Sequence, residues 1–231
     1  MATVGLIGGL GPESTIDYYR RLLSGWALQR PESSPSMVID SLDVQRGLRL
    51  VASDPAGLAE YLMGSVHRLA GAGVDFIALT ANTAHVVFDQ LAARSPVPML
   101  SIVETCAAEA ARRGMKRLGL LGTRFTMDGA FYPTVCGRAG ITVVGPSDDE
   151  RAWVHARYIG ELLKGDFRDA TRDGVIAIVE RLQRAEAIDG LILGGTELPL
   201  LLQSDVIAGL PSLDTTQLHV DAIIARLISG G

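Results

Sequence analysis

Short, nearly continuous apolar runs alternate along this chain with longer stretches in which apolar residues return every three or four positions. Val4-Gly5-Leu6-Ile7, Phe76-Ile77-Ala78-Leu79, Leu118-Gly119-Leu120-Leu121 and Leu191-Ile192-Leu193 have the length and aliphatic character of strands buried on both faces. Ile16, Tyr19, Leu22, Leu23 and Trp26 mark the apolar stripe of an amphipathic helix. Read this way, the pattern predicts strands over 3–8, 37–42, 74–80, 99–100, 117–121, 141–144 and 190–193. It predicts helices from near Glu13 and over 56–72, 83–92, 103–113, 148–163, 168–186 and 216–227, with one more through Phe131 and Tyr132. Arg46 and Arg49 fall in a predicted loop.

Strands alternating with helices at this spacing mean βαβ units, hence parallel sheets with helices on both faces. The strands also repeat. Gly8 and Gly122 are 114 residues apart, and so are Ala81 and Gly195, while Val97-Pro98-Met99-Leu100 resembles Leu210-Pro211-Ser212-Leu213 one residue closer. A near-constant offset over three strand pairs argues for internal duplication. The expected fold is α/β with two pseudo-symmetric domains, 1–100 plus 214–231 and 101–213, the last helix returning to the first domain. Parallel sheets bind ligands at the carboxyl ends of their strands, where Gly8, Asp40, Thr80, Thr123 and Gly194 fall. The strand ends of the two domains are expected to line a cleft between them.

Composition narrows the function classes. A formal charge of −5 and a pI near 5.4 argue against nucleic acid, which requires a concentrated basic face. No apolar run approaches the roughly 18–20 residues needed to cross a bilayer. The N-terminus opens directly into a strand without a charged and then apolar leader, so a cytoplasmic protein is expected. Cys106 and Cys136 have neither metal nor redox spacing and read as small core residues on helices. His67, His85, His155 and His219 make no ligand set, and no structural metal is expected.

Two stretches concentrate the candidate chemistry. Leu79-Thr80-Ala81-Asn82-Thr83-Ala84-His85 and Leu193-Gly194-Gly195-Thr196-Glu197-Leu198-Pro199 each lead from a strand end, through a small residue, into hydroxyl or amide side chains at a helix start. Unpaired N–H groups and the positive end of a helix dipole suit such a junction to carboxylates or phosphates. Asn and Thr there also serve as N-caps, a compatible role. Gly9-Leu10-Gly11-Pro12 fails the dinucleotide spacing, because Ser14 holds the third glycine's place and Pro12 removes an amide. It reads as a tight turn close to ligand.

Gly8-Gly9-Leu10-Gly11-Pro12-Glu13, Ala81-Asn82-Thr83-Ala84-His85, Leu121-Gly122-Thr123-Arg124-Phe125-Thr126, Gly194-Gly195-Thr196-Glu197-Leu198-Pro199 and Asp214-Thr215-Thr216-Gln217-Leu218-His219 together resemble the aspartate/glutamate racemase superfamily, in order and over essentially the whole chain. The resemblance implies an active site between two α/β domains, a small amino-acid or carboxylate substrate, a homodimer, and no pyridoxal phosphate or other cofactor. It also implies two cysteines acting on opposite faces of the substrate carbon, in Cys-Asn-Thr-Ala-His and Gly-Cys-Thr-Glu-Leu motifs. Ala81 and Gly195 hold those positions here. A family arginine has Gly47 near its place, and a family lysine aligns with Leu163, beside Lys164.

Neither Ala81 nor Gly195 carries a proton. Candidate proton carriers that remain are His85, Glu13, Asp43, Glu197 and Thr80. The expected substrate-binding set is Gly9, Asn82, Thr83, Thr123, Thr126 and Thr196. The expected function is a racemase-like enzyme with altered, non-thiol chemistry of isomerase, cyclase, decarboxylase or lyase type. The alternative is an inactive homologue that binds a small carboxylate or regulates. Because Ala and Gly are smaller than Cys, extra space is expected beside both residues, most of it at Gly195.

Overall fold

The computed structural model describes residues 2–230. In chain order the elements are β1 (Thr3–Gly8), α1 (Pro12–Gln29), β2 (Ser36–Ser41), α2 (Val44–Ser53), α3 (Pro55–Gly71), β3 (Phe76–Leu79), a 3-10 turn (Thr83–Val87), α4 (Phe88–Arg94), β4 (Met99–Leu100) and α5 (Ile102–Arg112). There follow β5 (Arg117–Gly122), α6 (Arg124–Met127), α7 (Phe131–Arg138), β6 (Thr142–Val144), α8 (Asp148–Gly160), a 3-10 turn (Leu162–Lys164), α9 (Asp169–Glu186), β7 (Gly190–Gly194), α10 (Leu198–Leu202), β8 (Val206–Ile207), β9 (Leu210–Asp214) and α11 (Thr215–Ser229). The chain divides into two compact units, Met1–Ile102 with Thr216–Gly231, and Val103–Thr215.

The first unit has a four-stranded parallel sheet in the order β2-β1-β3-β4. Successive residues of a strand face opposite sides, and both sides are covered. Val4, Leu6, Phe76 and Ala78 pack with Tyr18, Leu22 and Trp26 of α1 and with Val220, Ile223, Ile224 and Leu227 of α11. Ile7, Ile77 and Leu79 point the other way, onto Leu58, Leu62, Met63, Val66 and Leu69 of α3. Each such side chain, fully buried, contributes roughly 1.5–3 kcal/mol. This two-sided burial is why the strands read as apolar runs instead of alternating ones.

The second unit repeats the plan as β6-β5-β7-β9, with β8 added antiparallel at the edge. Val4 pairs Phe76 and Ile7 pairs Leu79, while Leu118 pairs Gly190 and Leu121 pairs Leu193, each partner displaced by the same 114 residues. Ile77 pairs Met99 where Leu191 pairs Ser212, the one-residue shortening read from the sequence. Even a loop lock recurs: the Asp75 carboxylate accepts from the Thr3 N–H, and the Asp189 carboxylate accepts from the N–H groups of Lys116 and Arg117.

Two local expectations are corrected. The segment holding Arg46 and Arg49 is helix α2, not loop. Asp43 caps it, its carboxylate accepting from Gln45 N at 2.8 Å and Arg46 N at 3.3 Å. The helix expected through Phe131 and Tyr132 is α7, with the short α6 before it. The chain after Thr83 starts as a 3-10 turn before becoming α4. No described helix is long and apolar enough to cross a membrane.

Candidate functional site

In the first unit, β3 delivers Thr80, Ala81 and Asn82 to the carboxyl end of the sheet, all three buried. The Thr80 hydroxyl donates to Ile7 O at 2.8 Å, tying β3 to β1. His85 lies one turn on and has both ring nitrogens engaged. Ile102 N–H donates to Nε2 at 3.2 Å, so the proton sits on Nδ1, which donates to Ala81 O at 2.9 Å. The ring stacks on Phe88, centroids 4.7 Å apart. Burial pushes its pKa down to about 4, and protonating Nε2 would leave Ile102 N–H facing a second donor. Thr80 and His85 are thus built into the scaffold and are poorly placed to move protons to a ligand.

The remaining first-unit candidates are also engaged or exposed. Asp43 is the α2 cap, and Glu13 is exposed in the first turn of α1. Gly9 has φ +79°, and any Cβ there would run into the backbone of Leu42, so glycine is required. Its N–H donates to Thr15 Oγ1 at 2.8 Å, so the amide expected to meet ligand already has a partner. Gly47, near the place of the family arginine, is buried against Leu10.

In the second unit, Thr123 caps α6, its hydroxyl accepting from Thr126 N at 3.3 Å and lying 3.3 Å from Thr126 Oγ1. Both threonines are buried at the carboxyl end of β5. Leu163 packs on the core and the adjacent Lys164 is exposed, so neither side chain stands in for a buried cation. The helices that follow Thr123 and Thr196 span only 124–127 and 198–202. A single turn has little macrodipole, so carboxylate binding at these junctions rests on local N–H and hydroxyl groups.

Gly195 brings the largest departure from expectation. A Cβ placed on it would lie 2.6 Å from Tyr158 Oη and 2.5 Å from Tyr158 Cε2. The space expected to be open beside Gly195 is filled by a tyrosine reaching across from α8. Tyr158 Oη donates to Glu197 Oε2, and accepts from Glu197 N at 3.3 Å. Thr196 Oγ1 donates to the same carboxylate oxygen at 3.2 Å. Burial, and the Glu197 carboxylate beside it, raise the Tyr158 pKa well above the ordinary phenol value, so the hydroxyl keeps its proton. Sequence reading missed Tyr158 because Val154 and Tyr158, four apart on a helix, look like any core stripe.

Cys106 and Cys136 are fully buried on α5 and α7. Burial raises Cys106 well above the usual thiol range and Cys136 to about 11, so both stay protonated and unreactive. Among the described residues no three of His, Cys, Asp and Glu come together in a metal-holding group.

The sequence profile of the Asp/Glu/Hydantoin racemase family matches residues 7–223. The chain belongs to this family. Its fold is that of a crystal structure from Yersinia pestis described provisionally as an Asp/Glu racemase, with TM-score 0.87, 32% identity, and 99% of this chain and 100% of that one covered. An aspartate racemase homologue from Pyrococcus horikoshii OT3 matches with TM-score 0.82 and 30% identity over 99% of this chain and 100% of the other. A broad specificity amino-acid racemase from Bacillus subtilis is 31% identical over 151 residues, 61% of this chain and 63% of that protein. The match thus spans less than two thirds of that curated relative's length. These racemase relatives agree with the two parallel sheets flanked by helices described above.

Proposed function

We propose that this family member is an enzyme acting on a small amino acid or other small carboxylate by chemistry that does not use a thiol pair. The observation that carries the reading is the pair Ala81 and Gly195, taken as the family's thiol positions, with Cys106 and Cys136 sealed in helices elsewhere. Each general acid or base contributes about 10²–10⁴-fold to a proton transfer, so losing two thiols disfavours racemisation by the family route. Reactions needing proton transfer on one face only, or none on carbon, remain: isomerase, cyclase, decarboxylase or lyase types. Asn82, Thr83, Thr123, Thr126 and Thr196, hydroxyls and an amide at strand ends, are the proposed carboxylate ligands. A homodimer in the cytoplasm belongs to the same proposal.

The test is to incubate the protein in D2O with D and L alanine, serine, aspartate and glutamate, and with malonate, following each by NMR. We expect deuterium on carbon or a new product from at least one compound. Ligands that raise the melting temperature and are recovered unchanged would leave a carboxylate-binding protein instead.

A further inference from the structure

The Tyr158–Glu197 pair has a geometry that ordinary core packing does not call for. Three features coincide. Residue 195 has no side chain, the phenol oxygen stands 2.6 Å from where that residue's Cβ would begin, and a carboxylate buried to 1% exposure accepts the phenol's hydrogen bond. Had residue 195 any side chain, the tyrosine could not occupy this place; the glycine and the tyrosine are complementary. A buried carboxylate is costly unless it is hydrogen-bonded, and Glu197 accepts from both Tyr158 and Thr196.

We propose that Tyr158 Oη is the catalytic proton carrier at the second unit's junction, with Glu197 as the proton store behind it. The inference rests on the reading that residue 195 is the family's thiol position. In the abstraction direction the substrate C–H bond breaks and its proton adds to the phenol oxygen. The phenol's own proton passes to Glu197 Oε2, and the electron pair stays on the substrate carbon. The tyrosine ends neutral and Glu197 ends as the acid. In the delivery direction protonated Glu197 returns its proton to the phenol oxygen as the phenol protonates the carbanion. No oxidant, metal or cofactor enters the balance. The first unit's junction has no matching carrier, since His85 and Thr80 both hold the scaffold together. A single proton carrier acts on one face of the substrate carbon, so the proposed chemistry is that of a stereospecific protonation or exchange, not a racemisation.

The decisive variants are Tyr158→Phe, which keeps the ring that fills the space beside Gly195, and Glu197→Gln, which keeps the hydroxyl. Both are compared with the wild type for deuterium incorporation in the panel above, alongside melting temperature. We expect wild type to exchange one enantiomer of an accepted amino acid, and Tyr158→Phe to lose at least about 100-fold in rate. Glu197→Gln should lose at least tenfold and change the pH profile of exchange, which a purely structural partner would not do. Should Tyr158→Phe fail to fold, Glu197→Gln decides. An active wild type with variants inside threefold of it, or equal exchange of both enantiomers, overturns this inference and leaves the proposed function standing. A wild type that turns over nothing in the panel overturns both.

Discussion

The two halves of the molecule carry the same strand register 114 residues apart, yet their strand ends are finished differently. Ala81 ends β3 among aliphatic neighbours, beside a histidine whose two nitrogens are bonded to backbone. Gly195 ends β7 against the hydroxyl of a tyrosine that is bonded to a carboxylate. The duplication preserves backbone geometry, because sheet pairing and two-sided packing constrain it. It leaves the side-chain chemistry at each strand end to whatever the neighbouring helix presents. At the first junction the buried titratable side chain is a neutral imidazole serving the scaffold. At the second they are a phenol and the carboxylate that accepts its hydrogen bond.

The largest expected difference between the halves appears in acid. Burial holds His85 to about 4, and burial together with His85 itself holds His219 to about 3. His219 is neutral with its proton on Nε2, which donates to Leu100 O at 3.2 Å, while Tyr18 Oη donates to Nδ1 at 2.9 Å. In the unfolded chain each histidine binds a proton near pH 6.5, whereas in the folded chain each stays neutral down to its depressed value. The unfolded state thus binds more protons below pH 6.5. Stability should fall as pH drops from there, by up to about 1.4 kcal/mol per pH unit for each histidine. Urea midpoints between pH 7 and 5 measure this before most carboxylates titrate. A flat midpoint would contradict the neutral, doubly bonded assignment.

Cysteine substitution separates the halves next. Gly195→Cys must displace the Tyr158 ring and should cost about 1–3 kcal/mol by overpacking, read as a lowered urea midpoint. Ala81→Cys adds one sulfur to a buried position that no tyrosine fills, and should cost less than Gly195→Cys. Restoring both cysteines is therefore no clean test for a surviving racemase site unless Tyr158 is shortened as well. Equal costs at the two positions would deny the asymmetry.

The smallest effect is expected at Thr80. Thr80→Val removes the hydroxyl bond to Ile7 O, but Thr80 N still donates to that oxygen at 3.2 Å. A loss of about 0.5–1 kcal/mol in stability with turnover inside threefold is expected. A hundredfold fall in turnover would return Thr80 to the proton carriers and undo the contrast with Tyr158.

Most of the architecture was legible in the residues. Apolar runs located most strands within a residue or two; β9 was marked only by its likeness to residues 97–100, and in the edge strand β8 Val206-Ile207 is too short to carry a pattern. The helix α2 was missed because its signal is the cap at Asp43, not a long apolar stripe. At the junctions, residue types were legible but not their partners. The Gly9 amide is taken by Thr15, the Thr80 hydroxyl by Ile7 and the His85 ring by Ala81 and Ile102. Nothing in the local order of residues announces these pairings.

By itself the chain's order of residues determined the parallel sheets, the 114-residue repeat and the absence of cysteine at 81 and 195. Periodicity and residue identity are local properties, and burial on both faces of a sheet writes them plainly into the chain. Only the tertiary structure decided what stands beside those two positions. Tyr158 and Glu197 are 39 residues apart and meet because α8 packs against the end of β7. Contact between distant elements depends on how helices seat on a sheet, and what fills the place beside a missing side chain is known only once that seating is known.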